Sequence, residues 1–64
     1  MKTSLLETYR HRSGLSVREL SEITGIPTAT LNRIIRYPRN ARGFQIAAIC
    51  EALGMSWEEY KATI

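Results

Sequence analysis

Leu15-Ser16-Val17-Arg18-Glu19-Leu20-Ser21-Glu22-Ile23-Thr24-Gly25-Ile26-Pro27-Thr28-Ala29-Thr30-Leu31-Asn32-Arg33-Ile34-Ile35-Arg36 reads as two short helices joined by a tight turn. Ser16 followed three residues later by Glu19 is a capping box: the serine oxygen accepts from the N3 amide and the glutamate reaches back to the cap amide. Gly25 stands where a left-handed residue can close the first helix, Ile26 supplies an apolar plug, and Pro27 suits the start of the next helix. The pattern predicts helices at Val17 to Thr24 and Thr28 to Arg36.

The same punctuation continues outward in both directions. Ser4 with Glu7 and Ser56 with Glu59 repeat the capping box, each worth about 1 kcal/mol to a helix start. Gly14 and Gly54 are further candidates for helix closure. The Tyr37-Pro38 step disfavours helical geometry at Tyr37. Helices are therefore also predicted at Ser4 to Arg12, Phe44 to Leu53 and Trp57 to Ala62. Five short helices leave no room for a sheet, so the expected fold is all-α, a compact bundle of five short helices in a single domain over residues 1–64.

Apolar spacing assigns the faces. Val17, Leu20 and Ile23 recur at three-residue steps, and Ile46, Ile49, Cys50 and Leu53 at three- and four-residue steps, so these are expected to face the core. Leu6 and Tyr9 contribute from the first helix, while Leu15, Ile26 and Met55 plug connections. A chain of 64 residues buries only about 60% of the surface its unfolded form exposes, so this core has to be efficient.

Nor is a staple available: the single Cys50 has no partner for a disulfide, and Cys50 with the lone His11 fits no zinc spacing. No cofactor and no metal are expected. The first residues, Met1-Lys2-Thr3-Ser4-Leu5-Leu6, turn polar without an apolar leader core, and no membrane-length apolar run follows. A soluble cytoplasmic protein with no membrane partner is expected, and no small-molecule ligand is evident.

The net charge of +3 is unevenly placed. Between Ile23 and Cys50 there is no acid, yet Arg33, Arg36, Arg39 and Arg42 fall there; the remainder holds five basic and six acidic residues. A helix that only needs hydration mixes both signs, because like charges at neighbouring positions repel. Winding Thr28 to Arg36 at about 100° per residue gathers Thr28, Ala29, Asn32, Arg33 and Arg36 in one arc and Thr30, Leu31, Ile34 and Ile35 in the other. The first arc suits a DNA major groove, where Asn pairs bidentately with adenine, Arg with guanine, and a Thr or Ala methyl meets the thymine methyl. Composition alone leaves a merely hydrated face equally open.

The layout of the second and third helices is a helix-turn-helix. Leu15-Ser16 through Glu19-Leu20, Thr24-Gly25-Ile26, Thr30-Leu31-Asn32-Arg33-Ile34 and Ala52-Leu53-Gly54-Met55-Ser56 together resemble the lambda-repressor and Cro type domain, the xenobiotic-response-element family, over about Leu15 to Tyr60. The resemblance implies a transcriptional regulator whose third helix enters the major groove of double-stranded operator DNA, and it suits a small repressor of phage or prophage type, or a bacterial one. Thr28, Ala29, Asn32 and Arg33 would then face base edges. Val17 and Arg18 would lie beside phosphates, with Arg36, Arg39 and Arg42 flanking the groove. The chain departs from the family at Val17, where glutamine is frequent, so Arg18 or backbone amides would supply that phosphate contact. Pro27 replaces a frequent polar cap, Tyr37 a frequent glycine, and Gly43 a frequent apolar residue. A weak homodimer through the last two helices is the natural extension, since paired modules read two half-sites.

Other residues have plainer readings. His11 lacks a nucleophile beside it and reads as a surface residue. Cys50 reads as a small buried hydrophobe rather than a redox sensor. Arg10 and Arg12 read as a solvated helix end before they read as part of the cationic field. Trp57 and Tyr60 are expected to close the core, with a subunit contact, joined by Phe44 and Ile64, as the alternative. A protein-binding module of antirepressor or antitoxin-like kind, anchored by Phe44, Trp57 and Tyr60, is the competing function. Enzymatic activity is not expected, because no paired carboxylates, activated nucleophile or phosphate-cradling loop are present.

Overall fold

A computed structural model describes residues 4–64. Five helices follow in order: α1 Leu5–Arg12, α2 Val17–Thr24, α3 Thr28–Arg36, α4 Gly43–Leu53 and α5 Trp57–Lys61, with a single 3-10 turn, Pro38–Asn40, between α3 and α4. The described residues contain no strand. The capping boxes Ser16 with Glu19 and Ser56 with Glu59 are both closed reciprocally. At α1 only half of the box forms: Ser4 Oγ accepts from the Glu7 amide, but the Glu7 carboxylate pairs with Arg10 instead of returning to the cap. α4 begins one residue earlier than the apolar pattern indicates, because Gln45 Oε1 accepts from the Arg42 amide at 2.9 Å and holds the first turn.

Tertiary contacts place α2 against α3 and α4, α3 against α1 and the 3-10 turn, and α5 against α4. The core is Leu6, Leu20, Ile26, Leu31, Ile34, Ile35, Ile46, Ile49, Leu53, Met55 and Tyr60, with Tyr9, Leu15, Val17 and Cys50 packed partly against it. Burying each large side chain contributes about 1.5–3 kcal/mol, which is why a core this small has no spare members.

Two expectations about the core are overturned. Ile23 is 59% exposed, on the rim of a shallow groove with Ala48, Glu51 and Ala52. Three-residue steps drift by about 60° each, so Val17 and Ile23 lie about 120° apart around α2, and a face centred on Leu20 leaves one flank uncovered. Trp57 is likewise exposed, while Tyr60, stacked on it with ring centroids 6.4 Å apart, is fully buried. Trp57 sits at the first position of a five-residue helix, and Tyr60, one turn further on, is the one that closes the core.

The turn between α2 and α3 is rigid for reasons written in its own residues. Gly25 has φ 75°, a conformation that costs a residue with a Cβ roughly 1–2 kcal/mol. The Ser21 hydroxyl donates to the Ile26 carbonyl at 2.6 Å. The Thr24 hydroxyl donates to the Leu20 carbonyl at 2.7 Å and accepts from the Ile26 amide at 3.2 Å. With Ile26 buried between the helices, these bonds fix the angle at which α3 leaves α2. No helix in the described residues is long and apolar enough to cross a membrane.

Candidate nucleic-acid interface

The two arcs of α3 separate as the periodicity predicts. Leu31, Ile34 and Ile35 are 0%, 1% and 6% exposed, and Thr30 is half-buried. Thr28, Ala29, Asn32, Arg33 and Arg36 are all exposed. The driving force is simple: three branched aliphatics at positions 31, 34 and 35 must leave water, and the helix turns its remaining face outward as a result.

What faces outward is chemically idle within the chain. Among the described residues, the side chains of Thr28, Asn32 and Arg33 make no hydrogen bond, and the Glu7 carboxylate pairs with Arg10, with His11 Nε2 3.8 Å away. Arg36 lies over the exposed ring of Tyr37, its guanidinium carbon 5.7 Å from the ring centroid. Arg39 and Arg42, on the 3-10 turn and at the cap of α4, are exposed and unpaired among the described residues. Four guanidinium groups are thus left without a neutralising carboxylate, on one helix and the segment that follows it. A guanidinium presents a planar fork of donors that matches the paired acceptors of a phosphate or a base edge, so such a surface is chemically suited to both.

α2 contributes its N-terminus. Arg18 is exposed, whereas the Val17 side chain is half-buried against the core. Any contact at position 17 is therefore made by its backbone amide, one of the first-turn donors that a helix leaves unsatisfied.

Arg10 takes another place than the sequence suggests, while His11 and Arg12 keep theirs. Arg10 is no solvated helix end: it pairs with Glu7 and donates to the Leu15 carbonyl, tying α1 to the start of α2. Arg12 remains exposed, with its guanidinium 5.8 Å from the Tyr9 ring centroid, and His11 is exposed. Cys50 is half-buried, its Sγ 3.8 Å from the Ser56 carbonyl, and burial pushes its thiol pKa upward, against reactivity. Phe44 is the most exposed large apolar residue among the described residues. Sequence reasoning took Tyr37 as a helix stop and not as a site residue, and passed over Asn40; both are exposed on the arginine-bearing segment. Their only signal is position, between Arg36 and Arg42.

Glu59 and Tyr9 link the two ends of the domain, the phenol donating to Glu59 Oε2 at 3.2 Å. The Glu59 carboxyl is held below its ordinary pKa by the Ser56 amide first and then by this phenol. Glu19 is lowered in the same way by Ser16. These carboxylates are spent on helix caps, on elements other than α3, and leave its outer arc without a local counter-charge.

No curated protein and no solved structure matches the chain. A family model described as helix-turn-helix, of lambda repressor and Cro type, matches residues 6–60. With that span covered, and with a rigid two-helix turn presenting a cationic outer arc, the chain belongs to this helix-turn-helix family and is a DNA-binding transcription regulator of the lambda repressor and Cro type.

Proposed function

We propose that this chain, read as one module over residues 1–64, is a small repressor of phage or prophage type that reads operator DNA with α3 in the major groove. The observation that carries this reading is the outer arc of α3: exposed Thr28, Ala29, Asn32 and Arg33, without internal partners among the described residues, on a helix whose opposite arc is sealed in the core. Asn32 and Arg33 read base edges, as a bidentate pair to adenine and to guanine. Thr28 and Ala29 allow close approach and contact thymine methyl groups. Arg18, Arg36, Arg39 and Arg42 neutralise backbone phosphates, joined by the amide of Val17. Phosphate contacts position the domain and supply most of the affinity, while base contacts supply selectivity.

One module reaches one half-site. The domain measures 26 Å along its longest axis, less than the roughly 34 Å between half-sites on one face of the duplex. A second copy is therefore needed to read a palindrome, and exposed Phe44 and Trp57 on α4 and α5 are the apolar residues available for a weak contact between copies. The competing protein-binding reading loses one of its three aromatic anchors, since Tyr60 is fully buried.

Selection of bound sequences from a random duplex pool at near-physiological salt tests the reading. It is expected to yield paired half-sites. Arg33→Ala should then relax preference at one base pair by about 1–3 kcal/mol, whereas Arg39→Ala should weaken all sequences alike and reduce the salt slope by about 0.9. If Arg33→Ala lowers binding equally on every sequence, its base-reading role is wrong. A strictly monomeric species in sedimentation, both free and on the selected palindrome, removes the homodimer.

A further inference from the structure

Two long-range hydrogen bonds converge on the exit of α3. The Ser4 hydroxyl donates to the Ile35 carbonyl at 2.7 Å, and the Tyr60 phenol donates to the Pro38 carbonyl at 2.7 Å. They bracket Arg36, and Arg39 follows Pro38 directly in the chain. The segment 37–42 otherwise bonds within itself or to its sequence neighbours: Tyr37 to the Arg33 carbonyl, Asn40 to Tyr37, Ala41 to Pro38, and Arg42 to Gln45. Among the described residues, the phenol is thus the one hydrogen bond that reaches this segment from a distant element.

Tyr60 is built for that contact and not only for filling space. A phenylalanine would occupy nearly the same volume in the core. The hydroxyl instead adds a charge-free donor to a carbonyl whose other partner, the Ala41 amide, is distant at 3.3 Å. Burial first, and Cys50 next, push the phenol pKa up to about 12, so it stays a donor wherever duplex DNA is intact. Pro38 is itself buried, so the tether closes on a packed ring and not on a loose loop.

We infer that the Tyr60 hydroxyl is a positioning residue of the DNA interface: it pins the Pro38–Asn40 turn to α5 and so holds Arg39 in reach of a phosphate. The inference rests on the assignment of Arg39 to the DNA backbone made above. α5 thereby tunes affinity without touching nucleic acid.

Tyr60→Phe, Arg39→Ala and the double variant, titrated over a salt series with a random-sequence duplex, test it. Arg39→Ala should make the slope of log affinity against log salt shallower by about 0.9, as expected when one phosphate is no longer neutralised. Tyr60→Phe should shift the slope the same way, by a large part of that amount, and weaken binding several-fold while the helical signal is retained. The double variant should bind no worse than Arg39→Ala, because both changes act on the same phosphate. Ile49→Val, a core change that loosens the fold while removing neither the phenol nor the Pro38 carbonyl, should leave the slope at its wild-type value.

A wild-type slope in Tyr60→Phe, or losses that add in the double variant, overturns the positioning role while the Arg39 assignment stands. A shallower slope in Ile49→Val overturns it too, since general loosening would then explain the effect. A wild-type slope in Arg39→Ala overturns both the inference and the assignment beneath it.

Discussion

Leu31 and Asn32 are consecutive residues on α3, and the fold assigns them opposite consequences when each is truncated to alanine. Leu31 has no exposed surface and belongs to the core. Leu31→Ala removes three carbons from a fully packed site, at a cost of about 2–5 kcal/mol in transfer and cavity terms. The 64-residue chain has a total stability of about 3–10 kcal/mol on the usual scale per residue. The variant should therefore lose most of its stability, with a urea midpoint lower by about 2 M or more for a slope near 1 kcal/mol/M. Asn32 is exposed and without an internal hydrogen bond among the described residues. Asn32→Ala exchanges a middling helix former for the best one, a gain of up to about 0.7 kcal/mol, so its unfolding midpoint should hold or rise. On DNA the order reverses: Asn32→Ala should lose about 1–3 kcal/mol of discrimination at one base pair. Urea unfolding followed by far-ultraviolet circular dichroism, paired with anisotropy titrations on selected and randomised duplexes, reads both quantities. If Asn32→Ala destabilises the fold by more than about 1 kcal/mol, or if Leu31→Ala unfolds at the wild-type midpoint, the division of α3 into a sealed arc and a reading arc is wrong.

Further expectations concern the turns and the capping residues. Gly25→Ala places a Cβ in open space but at φ 75°, so only backbone strain acts and the melting temperature should fall by about 4–8 °C per kcal/mol of the roughly 1–2 kcal/mol lost. Gly43→Ala, equally unhindered and without a positive φ, should instead stabilise by about 0.4–1 kcal/mol, measured in the same melt. The Glu19 and Glu59 carboxyls are held below their ordinary value of 4.5, so their contribution is complete above that pH and is lost as pH falls through the lower folded value. Glu19→Gln/Glu59→Gln, which keeps the cap geometry, should flatten the acid limb of a stability-against-pH curve; an unchanged limb would count against the capping carboxylates as its source. Tyr60, raised from 10 to about 12, gives stability that is complete below pH 10 and lost as pH rises through about 12. Alkaline unfolding should begin in that window and should lose this component in Tyr60→Phe.

Most features that a few neighbouring residues control were legible in the order of amino acids; where two local partners compete, as Arg10 does with the cap for the Glu7 carboxylate, the pattern does not rank them. Ser16 with Glu19 and Ser56 with Glu59 start helices because the cap closes within one turn. Gly25 and Gly54 end helices because a left-handed φ is a property of a single residue. The inward and outward arcs of α3 could be read because aliphatics at 31, 34 and 35 leave one orientation for the polar positions between them. Packing between distant elements settled the rest. Ile23 and Trp57 look as apolar in sequence as Leu20 and Tyr60, and only the crossing of α2 with α4 and the shortness of α5 leave them in water. The bond from Tyr60 to Pro38 spans 22 residues, a separation over which local pattern carries no information about which donor meets which carbonyl. Local chemistry sets where each helix begins and ends, whereas the identity of the flank that stays wet depends on neighbours arriving from elsewhere in the chain.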